Sequence, residues 1–394
     1  MIMLNDEKKK KKRVWTKEWL RNRERFTHLR LLKSIQASEP PDFINYLRMD
    51  YPTFAQLLSE ITPLIERKDT LMRDAVTPEE RLIATLRFLA TGRSFEDLKF
   101  SYVISTQLLG RIIPETCRAI YKVLRKKYLK FPSKDEEWIK IAMDFKKMWQ
   151  FEICLGSMDG KHIAIKQPPG SGSYFYNYKG FYSTVLFANV NANYEFIYVY
   201  SGTNGRISGG GVIKNTEFYN LLMSNSLKIP QPVNIPGISD KLPYVFIGDE
   251  AFPLMTNLMK PYSQSNTTGY EERVFNYRVS RARRVVENAF GIMSNRFRIL
   301  LQPIATKVET VDDIVLACCV LHNFLRTKSS SYIQSSNVDR DDITTGNMYQ
   351  GDWRYYTGEL VSEKISSCVM TFFIKSCLKN VFPDSRKNEM EIHW

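Results

Sequence analysis

The chain has 394 residues, 43% of them hydrophobic and 13% aromatic, which is enough to fill sizeable cores in a largely globular protein. No window reaches the roughly 18 apolar residues of a membrane span, and no apolar stretch follows the basic start, so we expect neither a membrane protein nor a secreted one. A net charge of +14 predicts a polyanionic partner.

The positive charge lies mainly in the first part of the chain. Residues 1–150 hold 31 basic and 20 acidic residues (+11), residues 151–330 hold 18 and 13 (+5), and residues 331–394 hold 7 and 9 (−2). This distribution predicts DNA or RNA binding by the N-terminal part. The run Lys8–Lys12 with Arg13 is typical of a nuclear localisation signal or of a solvated basic tail, and we expect a nuclear protein. The six cysteines lack CxxC spacing, which predicts reduced, mostly buried thiols.

The pattern from about residue 15 to residue 130 is helical, with clear start signals. Thr77 and Pro78 begin one helix, Ser94 a short second helix, and Ser105 a third. This order predicts a helix-turn-helix, with an ordinary helical bundle as the alternative. Pro114 is expected to kink the third helix or to begin a new one. The side chains that we expect to contact DNA here are Gln107, Arg111, Arg118 and Lys122.

The middle of the chain reads as strands. HIAIKQ alternates just after Asp159, and FYSTVLFANV and YEFIYVYSG flank a turn at residues 191–193, so three consecutive strands suggest an antiparallel meander. TEFYNLLMS predicts a helix, and YVFIGDEAF a buried strand that ends in two acids. Beyond it, a long helical pattern places Val286, Phe290 and Met293 on one buried stripe.

Three acids come from different elements: Asp159, Asp249 and Glu287. Converging carboxylates raise one another's pKa unless a cation neutralises them, and all-oxygen ligands suit Mg²⁺ or Mn²⁺. Two ions about 3.5 to 4 Å apart would suit phosphodiester chemistry. Each acid also has a simpler interpretation: Asp159 and Asp249 could organise turns, and Glu287 could pair with Arg283 or Arg284 one helical turn earlier.

Five segments together resemble the PIF/Harbinger transposases and the Harbinger-derived nucleases, which carry a DDE endonuclease domain. They are GSMDGKHIAI, YFYNYKGFYS, YVFIGDEAFPL, ERVFNYRVSRARRVVENAFGIMSNRFRIL and ACCVLHNFL, and the resemblance runs from about Trp15 to Arg326. It implies an α/β fold in which an RNase H-like catalytic domain, a mixed sheet flanked by helices, follows an all-α region of helix-turn-helix type.

The resemblance also implies a DDE triad at Asp159, Asp249 and Glu287. The expected reaction is metal-dependent cutting of DNA at transposon ends, followed by joining of 3′ hydroxyls to target DNA. A Myb-like partner protein and a homo-oligomer in the active state are expected too. The expected organisation is a basic tail (1–14), a helical DNA-binding region (15–150), the nuclease domain (151–328), and a polar linker with a C-terminal tail (329–394).

Two positions depart from the family. Gly209 stands where the family usually has an acid, and Asn191 where it usually has Asp, which favours as an alternative a weakened or inactive DNA-binding derivative. A protein-interaction scaffold is a third alternative, and the basic N-terminal half counts against it. Lys179, among aromatics, could track a nucleic-acid strand or belong to a sheet edge. Arg283 and Arg284 complete the expected DNA contacts. His322 and Asn323 are expected to be structural.

Overall fold

A computed structural model describes residues 18–71, 74–207, 209–235, 240–263, 269–329, 332–341 and 348–357. The basic tail, the end of the expected polar linker and the C-terminal tail lie outside these residues. Within them, no helix has both the length and the hydropathy needed to cross a membrane.

Helices fill the N-terminal part of the chain. Their bounds are α1 (Glu18–Arg21), α2 (Arg23–Phe26), α3 (Leu29–Ser38), α4 (Pro40–Leu47), α5 (Tyr51–Ile65), α6 (Pro78–Thr91), α7 (Phe95–Tyr102), α8 (Thr106–Tyr128) and α9 (Asp135–Trp149). The predicted order of helix, short helix and helix is found at α6, α7 and α8. Thr77 forms a capping box with Glu80, and Gly92 ends α6 at φ +68°, in the left-handed region that favours glycine.

Of the two alternatives expected at Pro114, the start of a new helix is wrong. Helix α8 runs without interruption from Thr106 to Tyr128, with Pro114 buried in its interior. A proline ring ordinarily clashes with the carbonyl four residues earlier, and here that residue is Gly110. A Cβ at Gly110 would meet only the Phe95 ring, at 3.8 Å. This turn of the helix therefore has room to adjust around the ring of Pro114.

The rest of the described chain is built on a mixed sheet. The strands of this part of the chain are β1 (Cys154–Ala164), β2 (Ser183–Val190), β3 (Phe196–Asn204), β4 (Val233–Asn234), β5 (Lys241–Leu242), β6 (Val245–Ile247), β7 (Leu258–Met259), β8 (Arg340–Asp341) and β9 (Met348–Tyr349). The pairs β4–β5 and β8–β9 form separate two-stranded sheets. The helices among and after them are α10 (Gly209–Val212), α11 (Glu217–Met223), α12 (Tyr270–Arg296), α13 (Val308–Lys328) and α14 (Trp353–Thr357).

The main sheet has the order β3-β2-β1-β6-β7. The predicted antiparallel meander is confirmed as β1, β2 and β3, while β6 pairs parallel to β1, and β7 parallel to β6. Strand β1 begins at Cys154, so Asp159 lies within the strand and not before it. This five-stranded mixed sheet flanked by helices confirms the expected RNase H-like α/β fold.

Helices cover both faces of the sheet. On one face, Trp138 of α9 and Phe218 of α11 pack edge-on against Phe246 of β6, with ring centroids 5.5 and 5.0 Å from it. On the other face, the Ser157 hydroxyl of β1 donates to the Arg283 carbonyl of α12 at 3.2 Å. The predicted stripe of Val286, Phe290 and Met293 is buried.

Helix α13 joins the N-terminal helices to the sheet. The Asn323 amide donates to the Tyr128 carbonyl of α8 at 2.8 Å and to the Phe196 carbonyl of β3 at 2.7 Å. Arg118 of α8 also forms an ion pair with Asp313 of α13, at 2.7 Å. The helical region and the sheet therefore share one continuous core.

His322 is buried and structural, as expected, and its tautomer is defined by its partners. Its Nε2 lies 2.8 Å from the Tyr194 carbonyl, which can only accept, so Nε2–H donates and Nδ1 accepts from the Tyr332 hydroxyl at 2.9 Å. Burial lowers the pKa of His322 to about 4 from its ordinary 6.5.

This depressed pKa predicts acid-sensitive stability. The unfolded chain takes up the proton as pH falls through 6.5, whereas the native state does so only near 4, so the contribution of His322 is complete above pH 6.5 and is lost between 6.5 and about 4. At about pH 5 the loss is about 2 kcal/mol. The free energy of unfolding is measured with urea at about pH 7.5 and at about pH 5. Between these two pH values it should fall by about 2 kcal/mol less in His322→Gln than in the wild type. Equal pH dependence would contradict the assignment.

Candidate active site

Two of the predicted acids lie side by side because of the register between β1 and β6. Ser157 pairs with Ile247 across these parallel strands. Asp159 follows two residues later within β1, and Asp249 follows two residues after Ile247, just past the end of β6. The two are close enough for the Asp159 carboxylate to raise the pKa of Asp249. Each carboxylate also accepts a local backbone N–H, from Gly160 at 2.7 Å and from Ala251 at 3.0 Å.

The third acid reaches this edge from α12. The hydrogen bond between Ser157 and the Arg283 carbonyl sets α12 against β1 two residues before Asp159. Glu287 lies one helical turn beyond Arg283, on the same side of the helix. Asp159, Asp249 and Glu287 all lie close enough to Arg283 for their carboxylates to raise its pKa.

Arg283 lies among these carboxylates. Its Nη2 is 2.6 Å from Glu287 Oε1, and the two side chains are 25% and 23% exposed. Burial alone would lower the pKa of Arg283, but the carboxylates of Glu287, Asp159 and Asp249 outweigh it and raise that pKa. The simpler interpretation of Glu287 as the partner of Arg283 is therefore confirmed, and Arg283 supplies positive charge inside the site.

Asp249 and Glu287 both have raised pKa values, although Arg283 lies nearby. Burial raises the pKa of Asp249, and the Asp159 carboxylate raises it further. Burial also raises the pKa of Glu287, against the opposing effect of Arg283. The positive charge of one arginine does not balance three carboxylates, which is consistent with the raised pKa of Asp249 and Glu287.

A second arginine approaches Glu287 from the segment after α13. Arg354 lies 3.7 Å from Glu287 Oε2, and it forms a buried ion pair with Asp339, which is fully inaccessible. Trp353 donates to the Asn288 side chain at 2.9 Å and packs against Gly291, where a Cβ would meet its ring at 2.2 Å. We call residues 332–341 and 348–357 the C-terminal clamp.

The clamp corrects the expectation of a polar linker from residue 329. Tyr332, Asp339, Trp353 and Arg354 are buried against the rest of the fold. Sequence reasoning missed it because the segment is polar on average. The available signal was WRYY at 353–356, an aromatic cluster around an arginine that a solvated linker would not need.

The predicted DNA contacts fall into three groups. On α8, Gln107, Arg111, Arg118 and Lys122 are exposed, although Arg118 is already paired with Asp313. Lys179 is exposed at the tip of the loop before β2. Arg283 is paired with Glu287, and Arg284 is only 9% exposed, so neither is an exposed DNA contact in this structure, and their role at DNA stays a prediction.

The two departures from the family lie in different places. Gly209 begins α10, whose next residue, Gly210, touches the backbone of Ala251 just after Asp249, so position 209 is beside the site. Asn191 instead organises the β2–β3 turn: its Oδ1 accepts from the backbone N–H groups of Asn193 and Glu195, and its amide donates to the Glu195 carboxylate at 2.9 Å. An Asp at 191 would set two carboxylates together, so Asn fits this turn.

The donor set suits a hard divalent cation because it consists of carboxylate oxygens whose mutual repulsion a cation would relieve. In the described residues, however, no group of three or more His, Cys, Asp and Glu side chains is arranged as a ready metal site. The Glu287 carboxylate is paired with Arg283.

A comparison with protein families defines the class. Residues 158–323 match the model described as DDE superfamily endonuclease. This stretch runs from β1 into α13 and contains all three acids. The resemblance expected from the sequence is confirmed for this part of the chain, which is similar to a DDE superfamily endonuclease domain.

Curated relatives agree with that class. "Protein ALP1-like" of Arabidopsis thaliana is 24% identical over 343 residues, which cover 84% of this chain and 80% of the relative. "Putative nuclease HARBI1" of Homo sapiens is 23% identical over 273 residues, covering 68% of this chain and 73% of the relative. The Xenopus laevis protein of the same name is 22% identical over 253 residues, covering 63% and 68%. No solved structure matches significantly.

The contact between α10 and the Asp249 loop leads to a stability prediction. In Gly210→Ala the new Cβ would lie 2.4 Å from the Ala251 carbonyl, so the loop that carries Asp249 must shift. We expect the free energy of unfolding to fall by about 1–3 kcal/mol. The matched control is Gly110→Ala, which has open space inside α8 and should gain roughly 0.5–1 kcal/mol. Denaturant unfolding measures both, and an unaffected Gly210→Ala protein would contradict the close packing.

Proposed function

We propose that this protein is a metal-dependent DNA endonuclease of the PIF/Harbinger type, which cuts phosphodiester bonds at transposon ends and joins 3′ hydroxyls to target DNA. The observation that carries the proposal is the convergence of Asp159, Asp249 and Glu287 around Arg283 inside a DDE endonuclease domain. Acids from two adjacent strands and a crossing helix would form an expensive cluster in a protein that had no cation to bind there.

Asp159, Asp249 and Glu287 would hold Mg²⁺ or Mn²⁺, as two ions when the site is complete. Bound there, divalent cations supply a nucleophile at neutral pH and stabilise charge on the leaving oxygen. The raised pKa of Asp249 fits this role because its second cause, the Asp159 carboxylate, is one that a shared cation would offset.

The protein's own side chains position and balance the site. Ser157 fixes α12 against β1, which sets the separation between Glu287 and the two aspartates. Arg283 keeps Glu287 oriented towards the aspartates and lies where it can meet the negative charge of a phosphodiester. The buried pair of Arg354 and Asp339 supports Glu287 from the other side.

DNA is the substrate that this class of domain acts on, and the charge distribution supports a duplex held by the helical region. Gln107, Arg111 and Lys122 lie on the exposed side of α8. The resemblance extends the proposal to a Myb-like partner protein, a homo-oligomer in the active state and a nuclear location. The excess of basic residues supports the nuclear location.

A second candidate function is a DNA-binding protein with a weakened catalytic site. The observation in its favour is Gly209, which lies beside the Asp249 loop where the family usually has an acid. Asn191 does not favour it, because its amide is used in the turn. Loss of one acid lowers cation affinity without disturbing the fold.

The triad assignment is tested by Asp249→Asn. We expect Mg²⁺- or Mn²⁺-dependent nicking of duplex DNA to fall at least about 10³-fold, because a ligand charge is lost, while duplex binding without metal is unchanged. The matched control is Glu250→Gln, which makes the same change at the exposed neighbouring residue and should keep most of the activity. Cleavage that survives in Asp249→Asn would show that the triad is assigned wrongly.

The weakened-site candidate is tested by Gly209→Asp, which restores an acid beside Asp249. We expect this variant to need a lower Mg²⁺ concentration for half-maximal nicking, because an added anionic oxygen increases affinity for a hard cation. Nicking over a Mg²⁺ titration measures the effect, and thermal melting confirms folding. A folded variant with unchanged metal dependence would mean that position 209 does not reach the cations.

A further inference from the structure

A hairpin beside the active-site strand carries three exposed tyrosines. We call residues 173–183 the tyrosine hairpin. Its two arms are joined by backbone hydrogen bonds from Ser183 N–H to the Phe175 carbonyl at 2.8 Å and from Asn177 N–H to the Phe181 carbonyl at 2.9 Å. Tyr176 and Tyr182 bridge the arms, with their ring centroids 5.1 Å apart.

The turn of the hairpin is organised from within. Asn177 is 3% exposed, its Oδ1 accepts from the N–H groups of Lys179 and Phe181, and its amide donates to the Ser183 hydroxyl at 2.8 Å. Gly180 takes φ +85°, which favours glycine. A side chain presented by this turn is therefore held in position.

The tyrosines all face outwards. Tyr174, Tyr176 and Tyr178 are 55%, 46% and 75% exposed, at alternate positions, while Asn177 between them is buried. Tyr174 and Tyr178 lie in turns on either side of the bridge residue Tyr176, so the three exposed rings are close together in the chain. Contiguous exposed aromatic rings on a rigid element are typical of a binding surface, because a core has no use for them there.

The hairpin adjoins the triad through β1. The Tyr178 ring packs edge-on against His162, with centroids 5.5 Å apart, and His162 Nδ1 lies 2.9 Å from the Ser183 hydroxyl. His162 follows Asp159 by three residues on the same strand, a separation of about 10 Å. The two side chains lie on opposite faces of β1, because they are an odd number of residues apart. Strand β6 pairs with β1 only as far as Ser157, so a DNA strand bound at the triad can reach Tyr178 by passing around this edge of β1.

The chemistry of the surface favours unpaired nucleotides. Lys179 Nζ lies 5.8 Å from the Tyr178 ring centroid, so a positive charge accompanies the aromatic faces. Aromatic rings bind bases by stacking, which requires bases with a free face, whereas those of a duplex are already stacked. Lys179 can bind a phosphate of such a strand, whereas a protein partner would not need a lysine at this position.

We propose that the tyrosine hairpin binds unpaired nucleotides of the DNA strand next to the cleaved bond, with Tyr178 and its neighbours stacking on bases and Lys179 contacting phosphate. This inference rests on the proposed function for the identity of the strand. It assigns the hairpin a positioning role: it holds a frayed or cut end beside Asp159, and duplex affinity comes from elsewhere in the chain.

The test is fluorescence anisotropy with the full chain in EDTA, using a fluorescein-labelled duplex and the same duplex with a short unpaired oligothymidine tail. We expect the wild type to bind the tailed DNA more tightly. Tyr178→Ala should weaken tailed-DNA binding by about fivefold to a hundredfold and leave duplex binding unchanged, because one stacked base is lost. Tyr178→Phe keeps the ring and should keep the affinity. The control is Tyr270→Ala, at an exposed tyrosine outside the hairpin and outside the clamp, at the start of α12.

Three results would overturn the proposal. The first is an equal affinity of the wild type for both DNAs. The second is an equal loss of affinity for the tailed DNA in the Ala and Phe variants. The third is an Ala variant whose sedimentation changes while its DNA binding does not, because the surface would then be a protein interface. Cross-linking of wild-type protein to a 5-iododeoxyuridine tail gives a readout that needs no variant, and the cross-linked peptide should contain residues 174–178. Because binding is measured without metal, failure of the nuclease function leaves this result interpretable.

Discussion

The constraint on which the rest of the structure depends is the placement of three carboxylates at the edge between a sheet and the helix that crosses it. Removing an ion from water costs several kcal/mol, so the fold must supply positive charge to Asp159, Asp249 and Glu287. Arg283 does so from inside the cluster, which raises its own pKa. The short parallel strand β6 matters for the same reason: its register against β1 decides whether two of the acids meet at all.

Helix α12 connects this site to both the core and the end of the described chain. One side buries Val286, Phe290 and Met293, which ties the position of Glu287 to the packing of the whole domain. Asn288 and Gly291 receive Trp353 of the clamp. Because the clamp delivers Arg354 to Glu287, the most C-terminal described helix contributes to the electrostatics of a residue 67 positions earlier. A substitution in the clamp therefore acts on the site through α12, without touching the aspartates.

The sequence predicted what local chemistry decides. Capping by Thr77, Ser94 and Ser105 located α6, α7 and α8, and alternation located the meander, because these signals depend on neighbours in the chain. The continuous α8 was missed, since the adjustment at Pro114 depends on a glycine one turn away and on space beside Phe95. The charge role of Arg283 and the clamp were missed because they depend on contacts between distant segments, which no local pattern encodes. The triad could be found only because its order along the chain resembles a family.

Charge counting connects the metal proposal to the substrate. Asp159, Asp249, Glu287 and Asp339 contribute four negative charges, and Arg283 and Arg354 contribute two positive ones, so these six side chains carry a net charge of −2. One divalent cation would balance them. A second divalent cation would leave an excess of positive charge. An acid at position 209 would reduce this excess, but Gly209 carries no charge. On the proposed function, the phosphodiester of the bound DNA supplies the missing negative charge, so the second cation and the DNA favour each other's binding. A site of this composition is complete only with its substrate present, which limits cleavage to DNA that is already held by the rest of the protein.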